Sequence, residues 1–230
     1  MEGEGEERLV RVAAGPVTLE GNLILPENAY GIVLFAHGSG SSRHSPRNRY
    51  VARLLNEAKL ATLLIDLLTS DEEAIDLRTA HLRFDIGLLA ERLVDVTDWL
   101  TKQPDSRQLR VGYFGVSTGA GAALVAAAER ADVVSAIVSR GGRPDLAGPA
   151  LARVRAPTLL IVGGNDFQVI ELNRVAFAQL RCEKQLVIVP WCDTSVRRAR
   201  RAGQGGAAGA RVVRTPSAAR RGTRHRGRKA

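Results

Sequence analysis

Apolar residues fall along this chain in two rhythms, short continuous runs alternating with longer stretches of helical spacing. LVRVAA from Leu9 and VTLEGNLIL from Val17 read as two strands around Gly15-Pro16, an antiparallel hairpin at a sheet edge. YGIVLFA, from Tyr30 to Ala36, is a continuous apolar run of the kind seen in a strand covered on both faces. PRNRYVARLLNEAK then carries apolar residues at Tyr50, Val51, Leu54 and Leu55, with Pro46 suited to a first helical turn. LATLLIDLL from Leu60 predicts another buried strand. The next long helical stripe, from Phe84, runs through Ile86, Leu89, Leu93, Val96 and Leu100. After it come LRVGYFGV (strand), STGAGAALVAAAER (helix), VVSAIVS and PTLLIVGG (strands), VIELNRVAFAQL (helix) and QLVIVP (strand).

Such alternation predicts an α/β fold with a mainly parallel sheet, helices on both faces and right-handed crossovers. Its functional loops belong at the carboxyl ends of the strands. No internal repeat is present. The pattern fits one domain over residues 8–190, after a flexible N-terminus at 1–7.

From Trp191 the text changes to Arg, Ala and Gly without periodicity. This alters the meaning of the formal net charge of +9. Residues 191–230 hold 12 of the 33 Lys and Arg but one of the 24 acids, Asp193, so the remaining 21 bases and 23 acids nearly cancel. The body is close to neutral and the positive charge sits in the tail. A segment with so few large apolar residues is expected to be disordered. Cys182 and Cys192 supply neither a disulfide framework nor metal-ligand spacing. No apolar run approaches the roughly 20 residues of a membrane span, and the acidic N-terminus lacks a signal core. The expectation is a cytoplasmic protein without a membrane partner; oligomeric state is not legible.

Gly115-Val116-Ser117-Thr118-Gly119 lies between a buried strand and an Ala-rich helix. A turn this tight strains its central residue, and glycine flanks remove side chains that would clash. The Ser117 hydroxyl is then left at a helix N-terminus beside the Thr118 amide, a place for a nucleophile and a developing oxyanion. The alternative is a close-packing turn whose serine only caps the helix. The loop His37-Gly38-Ser39-Gly40-Ser41-Ser42 could turn an amide of the Ser39–Gly40 region to the same spot; the Lys-Ser/Thr of a nucleotide-binding P-loop is absent. His37 reads as structural. Asp166, after IVGGN, could orient an imidazole or could cap the helix near Val169. Arg83 and Arg140, next to expected strand-end loops, are the best-placed cations for an acidic substrate, with solvated surface charge as the alternative.

These residues resemble the α/β-hydrolase superfamily, and within it the dienelactone hydrolase-like group. The resemblance rests on HGSGSS at 37–42, the strand ending near Asp66, GVSTG at 115–119, SRGGRPDLAG at 139–148 and APTLLIVGGNDFQV at 156–169. It implies hydrolysis of a carboxylic ester or lactone, a small molecule, through Ser117 as nucleophile. Asp166 would be the orienting acid, and Ser39, Gly40 and Thr118 the oxyanion donors. Neither a metal nor an organic cofactor is implied.

The family pattern also places a histidine in the loop after the final strand. Here QLVIVP is followed by Trp191, Cys192, Asp193 and Thr194. The four histidines are His37, His44, His81 and His225, none of them in that place. Arg/Ala/Gly-rich text is what G+C-rich coding DNA yields out of frame. Reread one nucleotide later, codons permitted for this segment can begin Gly-Ala-Thr-His-Leu-Phe-Glu-Glu-Pro-Gly, a His loop leading to a closing helix. The expectation is a serine hydrolase by ancestry, weak or inactive as written, lacking the closing C-terminal helix. A different class stays open: a non-catalytic binding protein whose Arg-rich tail contacts nucleic acid by counterion release.

Overall fold

A computed structural model of the chain describes residues 5–38 and 40–190. Eight strands form one sheet in the order β1-β2-β4-β3-β5-β6-β7-β8. They are β1 (Glu7–Ala14), β2 (Val17–Ile24), β3 (Gly31–Ala36), β4 (Ala61–Ile65), β5 (Arg110–Val116), β6 (Val134–Arg140), β7 (Thr158–Gly163) and β8 (Lys184–Val189). β1 and β2 form the expected edge hairpin in register Glu7↔Ile24 to Ala14↔Val17, with Gly15 at φ +54° in its turn. β2 joins β4 antiparallel, and every later pairing is parallel. The helices are α1 (Pro46–Glu57), α2 (Ser70–Thr79), α3 (Ile86–Lys102), α4 (Thr118–Glu129) and α5 (Phe167–Gln179), with 3-10 segments at Leu82–Phe84 and Pro144–Arg153.

Successive side chains on a strand point to opposite faces, and the continuous apolar runs fill both. Ile32, Leu34 and Tyr113 enter a core under α3, α4 and α5. Val33, Phe35 and Phe114 enter a second core with Val51, Ala52 and Leu55 of α1. Phe35 and Phe114 stack across adjacent strands, ring centres 5.0 Å apart. Leu93, Val96 and Leu100, three members of the predicted stripe on α3, are fully buried, each contributing about 2 kcal/mol of apolar transfer. Two hydroxyls buried there answer each other: Tyr113 Oη lies 2.6 Å from Thr97 Oγ1.

The sheet and helices match the predicted α/β-hydrolase architecture, with three differences. β4 stops at Ile65, so Asp66 begins a loop. α2 and the 144–153 segment have no counterpart in the apolar pattern. β1 begins at Glu7, inside the stretch expected to be flexible, because Glu7 accepts from Asn22 Nδ2 and pairs with Arg49 at 2.8 Å. The expectations placed on residues 191–230, including the lack of a closing helix, lie outside the described residues. Among the described residues no helix is long and apolar enough to cross a membrane.

Candidate active site

β3, β5, β6 and β7 all end on one side of the sheet, and the loops that follow them meet there. β5 hands over to α4 in a single residue. Ser117 has φ 52° and ψ −128°, a region that costs a non-glycine residue about 1–3 kcal/mol and persists only where surroundings impose it. The surroundings are visible. The Ser117 carbonyl accepts the amides of Ala120 (3.1 Å) and Arg143 (2.9 Å). A Cβ on Gly119 would sit 2.3 Å from the Ala36 carbonyl oxygen, and one on Gly38 would sit 2.4 Å from Ser117 Cβ. β3, its following loop and the turn therefore pack too closely for any side chain at either glycine.

The Ser117 hydroxyl makes no capping bond to α4, which removes the reading of this serine as a helix cap. It lines a cavity of about 520 Å3 shared with Gly38, Gly40, His44, Asn48 and Arg140. Thr118, buried, opens α4, and an amide at a first helical position has no partner in the helix ladder. Gly40 lines the same cavity at φ +67°. Ser39 lies outside the described residues. A larger cavity, about 780 Å3, lies between α1 and β2 near Asn22, Tyr50 and Asn56, and does not include Ser117.

Asp166 stands at the N-terminus of α5, accepting the Val169 amide at 3.2 Å. This is the bond of the capping role foreseen for it. Its turn is tied to the far strand: the Gly164 amide donates to the Val189 carbonyl at 2.8 Å. The chain passing from β8 to residue 191 thus leaves the sheet beside the loop that holds Asp166. His37 is engaged elsewhere. Its Nδ1 donates to the Gly38 carbonyl at 3.1 Å and its Nε2 lies 3.2 Å from Asp66. Asp66 also accepts from the Arg43 amide (2.6 Å) and guanidinium, and Arg43 reaches Glu20 at 2.7 Å. Burial pushes the Asp66 carboxyl up, and hydrogen bonds from His37 and Arg43 more than offset it, leaving it below its ordinary value.

The two predicted substrate cations separate. Arg140 ends β6 on the Ser117 cavity; its Nη2 donates to the buried Asn48 Oδ1 at 3.3 Å. Burial, helped by the nearby charge of Arg47, lowers the Arg140 pKa to about 10, so it stays a cation at neutral pH. Arg83 is not brought to that cavity. It clasps Asp76 through Nε (2.6 Å) and its backbone amide (3.0 Å), and lines a small recess on the other side of the Gly38–Gly40 loop with Thr118. Asn48 was missed from sequence. The signal existed: it occupies the helical position three and four residues before Val51 and Ala52, on the buried face of α1.

A dienelactone hydrolase from Anabaena variabilis has a crystal structure that superposes on this chain with a TM-score of 0.88. The two are 60% identical, over 90% of this chain and 96% of that one. The chain belongs to the dienelactone hydrolase family. More distant folds agree: a metagenomic dienelactone hydrolase-like promiscuous phosphotriesterase (18% identity, TM-score 0.74) and Est1E from Butyrivibrio proteoclasticus (16%, 0.69) share this hydrolase architecture. Curated relatives from two strains of Mycobacterium tuberculosis, named "Putative phosphoribosyl transferase", are 62% identical over 181 residues. That stretch is 79% of this dienelactone hydrolase family member and about 40% of the length of the relatives it matches. No protein-family model matches the chain.

Proposed function

We propose that the described residues form the acyl-transfer site of a serine hydrolase for a carboxylic ester or lactone, with the proton acceptor outside them. The observation that carries this reading is the strained, uncapped Ser117 at the cavity floor. In the proposed reaction Ser117 Oγ attacks the acyl carbon and passes its proton to an imidazole. The alkoxide leaves with that proton, and water then releases the acid from the acyl-enzyme. The Thr118 amide and the Ser39–Gly40 loop hold the oxyanion, and Asp166 orients the imidazole. Arg140 is the cation that meets an acidic substrate; Arg83, held by Asp76, is assigned to the recess behind the loop.

His37 is engaged by Gly38 and Asp66, and His44 lines the Ser117 cavity outside the family's place for the base. This reading puts the base after β8, where the family pattern has it, and makes the chain as written a weak or inactive hydrolase. Converting residues 191–230 to the alternative-frame sequence should raise hydrolysis of p-nitrophenyl acetate by orders of magnitude, because a serine without a base is a poor nucleophile at neutral pH. Equal rates for the two proteins would overturn the role given to the base. We infer that the phosphoribosyl transferase name of the mycobacterial relatives describes the part of them this chain does not span. The competing reading, a nucleic-acid-binding arm at 191–230, predicts salt-sensitive binding in a filter assay that is lost when those residues are removed.

A further inference from the structure

Two bonds hold the carbonyl of the strained Ser117, and they differ in origin. The Ala120 amide (3.1 Å) belongs to the first turn of α4 and comes with that helix; the Arg143 amide (2.9 Å) arrives from the loop after β6. The Arg143 amide is one edge of the peptide bond that joins it to Gly142. On the other edge the Gly142 carbonyl accepts Asn173 Nδ2 at 3.1 Å. A trans peptide points its carbonyl and its amide in opposite directions. Three groups therefore stand in series: the Asn173 carboxamide, the Gly142–Arg143 peptide and the Ser117 carbonyl.

Asn173 lies within α5 and is 0% exposed. Its Nδ2 also donates to the Val169 carbonyl at 2.8 Å, and the Val169 amide donates to Asp166. Both groups facing this end of the side chain are carbonyl oxygens, so the nitrogen is the atom that faces them. At the other end, Oδ1 is buried and makes no hydrogen bond with the described residues. A buried amide oxygen left bare is a cost that an apolar side chain of the same shape would avoid, which marks the NH2 end as the part in use. The peptide between has no room to shift: Gly142 is buried, and a Cβ there would run into Ser139 Oγ and Ala120 Cβ.

We propose that Asn173 is a positioning residue for the nucleophile. Through the Gly142–Arg143 peptide it holds the Ser117 carbonyl, and so the backbone conformation that keeps the hydroxyl uncapped on the cavity. It also fixes the nucleophile turn against the helix that Asp166 begins. The proposal rests on the reading of Ser117 as the nucleophile and adds the residue that keeps it in place. Asn173 acts by removing the freedom of the peptide to rotate and by polarising it, which strengthens the bond from Arg143. Serine at this place in α5 would bond back to the Val169 carbonyl, four residues earlier, and fall short of Gly142. Asn173→Ser thus cuts the relay and leaves the helix bond.

The test compares the wild-type full chain with Asn173→Ser, Asn173→Leu and a matched control, Asn56→Ser. Asn56 is a buried asparagine on α1 whose Nδ2 bonds go to Leu60 and Thr62, away from the Ser117 cavity. Fluorophosphonate labelling of Ser117 is followed by mass spectrometry in a fixed excess of imidazole, over a range of probe concentrations. The temperature is one at which thermal melts show each protein folded. Misplacing a reacting group by about 1 Å costs about a hundredfold, so the maximal labelling rate should fall at least roughly tenfold in both Asn173 variants. The half-saturating probe concentration should stay within about twofold of wild type, since the probe's binding surface is untouched, and Asn56→Ser should move neither quantity by more than that. Deuterium exchange of the Arg143 amide should be faster in Asn173→Ser than in wild type. Should Asn173→Leu fail to fold, Asn173→Ser carries the comparison. Wild-type labelling in Asn173→Ser, an equal fall in Asn56→Ser, or unchanged exchange at Arg143 would each overturn the proposal while leaving Ser117 as the nucleophile. A wild-type Ser117 that stays unlabelled would instead sink the hydrolase reading, and the positioning role with it.

Discussion

Ser117 concentrates the conflict between stability and chemistry in one residue. A side chain at φ 52° and ψ −128° is held against its preference by the bonds to its carbonyl and the crowding at Gly38 and Gly119. Glycine would occupy the same backbone without that strain, at some cost in chain entropy. Ser117→Gly is therefore expected to stabilise the protein by about 1 kcal/mol, a rise of about 2–4 °C in Tm for a domain of this size, while abolishing reaction with a fluorophosphonate probe. Thermal melts and mass spectrometry check the two halves separately, and a drop in Tm would show that the hydroxyl supports the fold. The turn was legible in sequence because glycine spacing between a buried strand and a helix leaves few geometries. Asn48 and the paired state of Arg83 were not. Which charged side chains meet across a cavity depends on residues far apart in the chain, such as Asn48 with Arg140.

At the scale of elements, apolar rhythm identified what packs by apolar contact and nothing else. β1 to β7, α1, α3, α4 and α5 bury apolar residues and each was predicted, as was β8, which at the sheet edge is only half-buried. α2 buries only Asp76 and leaves Ile75 and Leu77 exposed, so no stripe marks it. Polar contacts hold it instead. Thr69 caps it reciprocally with Glu72, and Glu72 forms a two-pronged pair with the buried Arg92 at 2.6 and 2.7 Å. The hydrogen bonds from Arg92 hold the Glu72 carboxyl below its ordinary value of 4.5, outweighing the effect of burial. A carboxyl whose folded pKa is depressed contributes stability that is complete above its unfolded pKa and disappears as pH falls through the folded one. Glu72→Gln should thus cost about 2 kcal/mol at pH 7. The gap between variant and wild type should begin to narrow only below about pH 4.5. Urea titrations at pH 7 and pH 3.5 read this directly, and a gap of equal size at both would remove the ion pair from the account.

For the whole molecule, the sheet order brings the ends of β3, β5, β6 and β7 to one rim, so residues 38, 117 and 140 line one cavity although they lie far apart in the chain, and the Asp166 turn follows β7 on the same side of the sheet. The fold and the strained turn at Ser117 were readable because local apolar rhythm and glycine spacing fix them. The proposed proton acceptor was not, since the sequence after β8 departs from the family pattern that would supply it. Gly164 ties the Asp166 turn to Val189, which is where an incoming imidazole would find its carboxylate. The central proposal is that the base for Ser117 is not supplied by the described residues and that the rim they form otherwise stands ready for acyl transfer. Imidazole added in solution tests it most directly, with the rate of fluorophosphonate adduct formation on Ser117 followed by mass spectrometry. The account predicts slow labelling in buffer, a rate that climbs with imidazole concentration, and no adduct in Ser117→Ala. A folded protein whose Ser117 stays unlabelled at every imidazole concentration would contradict it.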